Sequence, residues 1–239
     1  MLPSDFPPFP ERAEFDLWAS MKPAREVGGD FYDFYLIDDD HLALTIADVS
    51  GKGIPASLFM MTSKAILKSI AMQSKTPSEI LQETNDLICS NNRLDMFVTV
   101  WLGILELSTG RLFAANAGHE YPALKRADGK FRLIRDKHGL VIGGMENVKY
   151  TEYELQLHPG DKLFVYTDGV PEATDTAQQM FGSDRLIEAL NAGGETSPEQ
   201  VLKNVHSAVD AFVRDAEQFD DLTMLCLAYS GNAPEHLES

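Results

Sequence analysis

Apolar positions along this chain change period several times, and each change marks an element. Segments 14–21, 30–36 and 41–48 hold short apolar and aromatic runs of strand length. Asp38-Asp39-Asp40 separates the second from the third and is expected to be a solvated hairpin turn. The period then lengthens. Over 54–72, Leu58, Met61, Ala65 and Ile66 recur at helical spacing, Pro55 suits a first turn, and the Met60-Met61 pair is expected to fill the core. A second helix is expected over 78–90, capped by Ser78 after Pro77.

Strands return at 97–107 and 111–116 around Ser108-Thr109-Gly110, and again at 123–126, 131–134, 150–157 and 162–167. His158-Pro159-Gly160-Asp161 supplies a turn between the last two. Helices at 183–191 and 197–213 precede a final strand at 222–229. Strands in blocks with helices inserted, rather than strict alternation, argue for the α+β class. About ten strands is more than one open sheet usually carries. The expected architecture is therefore two packed antiparallel β-sheets flanked by helices. Residues 1–13, with Pro7-Pro8 and Pro10, are expected to be an extended lead-in, the end of an upstream linker. Residues 14–230 are read as one domain and 231–239 as a polar tail.

Composition narrows the partners. A chain of 239 residues can bury a core without disulfides. Cys89 and Cys226 lie in apolar surroundings and are expected to be buried small hydrophobes, which fits a reducing, cytoplasmic setting. The net charge of -17 repels nucleic acid and anionic membranes, so neither is an expected partner. A phosphorylated substrate would be repelled too, unless bound divalent metals reverse the local sign. No apolar run approaches the ~20 residues that span a bilayer, so no membrane insertion is expected. Residues 1–10 lack the basic and apolar regions of a signal peptide.

The candidate chemistry lies in four acidic sites at the ends of apolar runs: Gly29-Asp30, Ala47-Asp48-Val49, Thr167-Asp168-Gly169 and Asp220-Asp221-Leu222. Each alone could be a turn residue. Together they are oxygen donors from distant points of the chain, as a hard divalent cation requires. Gly28-Gly29 could be a bulge, and Ser50-Gly51-Lys52-Gly53 lacks P-loop spacing, so Lys52 is expected to face solvent. Adjacent side chains on a strand point to opposite faces, so one of Asp220 and Asp221 is expected to enter the site.

The ordered set Arg25-Glu26-Val27-Gly28-Gly29-Asp30-Phe31-Tyr32-Asp33, Ala47 to Gly53, Asn116-Ala117-Gly118-His119, Thr167-Asp168-Gly169-Val170 and Asp220-Asp221-Leu222-Thr223 resembles a known family. It is that of the bacterial metal-dependent serine/threonine phosphatases of the protein phosphatase 2C superfamily, in particular the stage II sporulation protein E type. That branch acts in sigma-factor partner switching. The resemblance runs from about Phe15 to Tyr229. It implies the same sandwich of two antiparallel sheets, and two Mn²⁺ or Mg²⁺ ions bridged by Asp48, with the Val49 carbonyl as a further ligand. Asp168 and Asp220 would hold one ion and Asp30 the other, with Asp33 and Asp221 as lesser contributors. A hydroxide bridging the ions would attack phosphorus in line, with no phosphoenzyme. Arg25 matches the superfamily's phosphate-gripping arginine, against which stands an exposed strand-edge arginine. His119 could be a general acid, or with Asn116 could brace the loop into Tyr121-Pro122. The implied substrate is a phosphoserine or phosphothreonine on a regulatory protein such as an anti-sigma-factor antagonist. Control would come from an upstream sensor or regulatory region, a partner protein or a homodimer, and a rigid shift of the helix after Asp48 could gate metal occupancy. The alternative from another class is a catalytically silent phosphatase-like module that binds partners. A GGDEF-type cyclase fits poorly, since Phe31 stands where an acid is required and three acidic sites go unexplained.

Overall fold

The strand at Phe15–Lys22 (β1) sets the pattern, because burial alternates along it and turns Phe15, Leu17 and Ala19 to one face. The structure, a computed structural model, describes residues 2–92, 95–127, 129–194 and 196–231. The expected polar tail lies, apart from Gly231, outside the described residues. After β1 come β2 (Phe31–Leu36), β3 (His41–Val49), α1 (Ile54–Ala71), α2 (Pro77–Asn91), β4 (Val98–Glu106) and β5 (Arg111–Ala117). They are followed by β6 (Ala123–Lys125), β7 (Phe131–Leu133), β8 (Glu152–Gln156), β9 (Lys162–Tyr166), α3 (Gly182–Asn191), α4 (Pro198–Val213) and β10 (Leu222–Tyr229).

The strands form two antiparallel sheets, in the orders β1-β10-β9-β6-β7 and β2-β3-β4-β5-β8. Leu17, Leu44, Ile46, Trp101, Val165 and Leu225 fill the space between them. On the outer face of the β3 sheet, Phe31, Ala47 and Val100 meet Leu67 and Ile70 of α1 and Ile80 and Leu81 of α2. On the other outer face, Phe164, Tyr166 and Met224 meet Leu186 of α3 and Val205 of α4. The result is a helix–sheet–sheet–helix sandwich, and the expected fold class holds.

The expected turn at 158–161 is present and carries the chain from β8 to β9 in the other sheet; the buried Asp161 carboxylate pins it by accepting from the His158 and Ala127 amides, both at 3.0 Å. Other local expectations need correction. Helix α2 is capped by Thr76, not Ser78. Thr76 and Glu79 form a reciprocal capping box, with Pro77 in the first turn. On α1, Leu58, Met61 and Ala65 face outward, while Ala56, Ser63, Leu67 and Ile70 are buried. The helix is apolar on both sides, and small residues let its other face approach the sheet. Met60 packs against the core, but Met61 is 58% exposed. Cys226 is buried, whereas Cys89 is only half-buried. The proline-rich lead-in packs on the domain: Phe6 stacks on Trp18, and Tyr32 donates to the Pro3 carbonyl at 2.7 Å.

Candidate metal centre

Strand parity decides where the first two acids go. Asp30 immediately precedes β2, and Asp48 is the penultimate residue of β3. Both share the parity of Tyr32, Phe34, Leu44 and Ile46, which face the opposite sheet. Their carboxylates therefore stand at one end of the inter-sheet space. Asp168 follows β9, while Asp220 and Asp221 precede its neighbour β10 in the other sheet. Thr167 Oγ1 donates to Asp30 Oδ2 at 2.7 Å, joining the two sheet ends. Asp33 has the opposite parity. It faces α1 and pairs with Lys64 at 2.7 Å, apart from the other acids.

Burial first, and neighbouring charge second, raise the pKa values of three of these acids. Asp30 is 2% exposed; burial first, then the Asp48 charge, push its carboxyl well above the ordinary range. Burial first, then the Asp168 charge, push Asp48 up to about 7. Asp168 is pushed up to about 6 by burial, then by Glu172 and Asp220. Charge concentrated in this way calls for a cation, and an all-oxygen donor set suits Mg²⁺ or Mn²⁺. Among the described residues no three His, Cys, Asp or Glu side chains already converge on one point in ligand geometry.

Close backbone approach explains the glycines. A Cβ on Gly28 would stand 2.4 Å from Asp221 Oδ2 and 2.1 Å from Met21 Cε, which replaces the bulge reading. One on Gly29 would stand 3.1 Å from the Val49 carbonyl oxygen, which opens beside the same loop.

The neighbouring acids of the fourth site divide. Asp221 is 7% exposed, and its two oxygens accept the Ala24 and Gly29 amides, each at 2.8 Å. It ties the segment before Asp30 to the start of β10. Asp220 is half-buried, and its Oδ2 lies 3.0 Å from Lys52 Nζ. Lys52 is exposed, as expected, yet its ammonium also reaches this carboxylate at the cleft. Arg25, an exposed loop residue, lines that cleft together with Asp48, Gly51, Lys52, Asp220 and Asp221.

Asn116 and His119 sit one layer back. The Asn116 side chain accepts the His119 amide at 2.7 Å and donates to the His119 carbonyl at 3.1 Å. His119 is 3% exposed, its Nδ1 lies 2.9 Å from Thr99 Oγ1, and burial pushes its pKa down to about 3. Sequence reasoning gave no site role to Lys52, Thr167 or Glu172. Their positions, four residues after Asp48 or within four of Asp168, were the available signal.

The sandwich with acids at the sheet ends is the fold of the PP2C phosphatase domains. The solved SiaA PP2C domain of Pseudomonas aeruginosa matches with a TM-score of 0.79 over 89% of this chain and 85% of that one, at 22% identity, a likeness of fold. The family model of stage II sporulation protein E matches residues 38–230, and the chain belongs to that family. Protein IcfG of Synechocystis sp. is 30% identical over 91% of this chain and 38% of its own length. Phosphoserine phosphatase RsbU of Bacillus subtilis is 29% identical over 91% of this chain and 64% of its own. The chain thus spans 38% and 64% of the lengths of these two relatives.

Proposed function

We propose that this domain is a metal-dependent protein serine/threonine phosphatase, acting on phosphoserine or phosphothreonine of a regulatory protein such as an anti-sigma-factor antagonist. The observation that carries the reading is the gathering of Asp30, Asp48, Asp168 and Asp220 from four segments at one sandwich end, where burial first and neighbouring carboxylates second raise the pKa values of Asp30, Asp48 and Asp168. The relative named a phosphoserine phosphatase supports the substrate class.

In this reading Asp30, Asp48, Asp168, Asp220 and the Val49 carbonyl would hold two Mn²⁺ or Mg²⁺ ions. When bound, such ions supply a water acidic enough to attack phosphorus at neutral pH and Lewis-acid support for the phosphate oxygens. The chain's own residues orient and hold. Thr167 fixes the Asp30 carboxylate, and Arg25 offers a bidentate fork to the phosphate. Asp221 has both oxygens engaged by amides, so we assign it to positioning the Asp30 loop rather than to a metal. Asn116 and His119 brace the loop behind the site. An upstream region, a partner protein or a second copy of the chain would supply control.

Metal-titrated hydrolysis of a phosphoserine peptide and of p-nitrophenyl phosphate tests the reading. Turnover should require Mn²⁺ or Mg²⁺ and disappear in Asp168→Asn while the protein stays folded. Turnover unaffected by that substitution sinks the assignment, and a wild type silent with every metal leaves the partner-binding module instead.

A further inference from the structure

Lys52 is an exposed loop lysine whose ammonium is nevertheless held on three sides. Its ammonium lies 3.0 Å from Asp220 Oδ2, donates to the Phe219 carbonyl, and stands 3.9 Å from the centroid of the Phe219 ring. Three electron-rich groups from two consecutive residues cup one cation. The backbone around the lysine is shaped for this. Gly51 and Gly53, on either side, have φ of +84° and +81°, conformations that favour glycine and turn Lys52 back across the cleft. Phe219 is 74% exposed, so apolar burial does not explain why its ring is placed there.

An ammonium and a divalent ion seek the same carboxylate oxygens. We propose that Lys52 is a tethered cation that competes with the divalent metal for Asp220, so that metal uptake at that side of the centre displaces the lysine. The inference rests on the phosphatase reading, in which Asp220 is a ligand. Lys52 is a positioning residue here, since it acts through Asp220. Losing the contact would also free the loop from Ser50 to Gly53, which feeds directly into α1.

Calorimetric titration of the whole chain with Mn²⁺ tests the idea without relying on activity. Lys52→Met, which keeps the aliphatic stem, should bind Mn²⁺ about twofold to fivefold more tightly than wild type, the range expected for removing a half-exposed ion pair. Phe219→Ala, which takes away the ring but keeps Lys52 and the carbonyl, should tighten binding by less. Arg25→Met removes an equal charge from the same cleft, outside the Asp220 pair, and should change affinity less than twofold. Unchanged or weaker Mn²⁺ binding in folded Lys52→Met overturns the proposal. So does equal tightening in Arg25→Met, which would reduce the effect to net charge. If Lys52→Met does not fold, Phe219→Ala decides, and unchanged binding there counts against the cradle. A wild type that binds no Mn²⁺ and leaves p-nitrophenyl phosphate intact fails the phosphatase reading itself; a wild type that binds and turns over, with unaltered variants, fails only the role of Lys52.

Discussion

Asp220 and Asp221 are chain neighbours, yet their carboxylates meet opposite environments. Asp221 is buried against two amides at 2.8 Å, whereas Asp220 is half-buried against one ammonium. Asp221→Ala would strand the Ala24 and Gly29 amides and should lower unfolding free energy by about 2 kcal/mol. Asp220→Ala, measured in chelator, should cost less than about 1 kcal/mol. Urea unfolding of both variants checks this, and equal losses would contradict the division. His119 gives a pH signature. Its folded pKa of about 3 lies below the usual imidazole range, so the ring is neutral in both states above about pH 6.5. As pH falls below that value the unfolded chain gains a proton the folded one refuses, and stability declines until about pH 3. The stability advantage of wild type over His119→Asn should shrink by about 2 kcal/mol between pH 7 and 5. A constant advantage would mean that His119 takes up its proton as readily in the folded protein as in the unfolded chain. At this scale the sequence showed which residues are acids but not which faced a cation. The pairing of the exposed Lys52 with Asp220 was not legible, because the partner is remote in sequence and no local pattern records that contact.

Elements were legible where their signals are local. Thr76, Pro77 and Glu79 contain a complete capping box, yet Ser78 stood closer to the apolar run and drew the cap to itself. Thr76→Ala should lower stability by about 1 kcal/mol with little change in metal-dependent turnover, whereas Ser78→Ala should change it by less. Chemical unfolding of the two variants distinguishes the caps, and a larger loss in Ser78→Ala would reverse the assignment. The buried face of α1 was not legible. Its apolar residues lie on both sides, so periodicity identifies a helix without choosing a face. The choice fell to Ala56 and Ser63, small enough to let the helix approach the sheet. Asp33 follows the same logic: strand alternation turned it toward Lys64 on that helix and away from Asp30.

Across the whole molecule, like charges gathered at the junction of two sheets oppose the fold that gathers them. Divalent ions that bind only the folded arrangement should therefore stabilise it, by about 2.7 kcal/mol at a hundredfold excess over Kd. Melting temperature should rise with Mn²⁺ concentration and return to its starting value on adding chelator, together with loss of p-nitrophenyl phosphate turnover. A melting temperature indifferent to Mn²⁺ would argue against a preformed centre. The sequence by itself determined the strand and helix order, the α+β class, and four acids at strand ends, because periodicity and turn chemistry are properties of neighbours along the chain. Only the tertiary structure decided that the turn at 158–161 crosses between sheets, that Thr167 after β9 meets Asp30 before β2, and that Lys52 pairs with Asp220. Those outcomes depend on which buried faces pack together, and burial is a property of the folded whole.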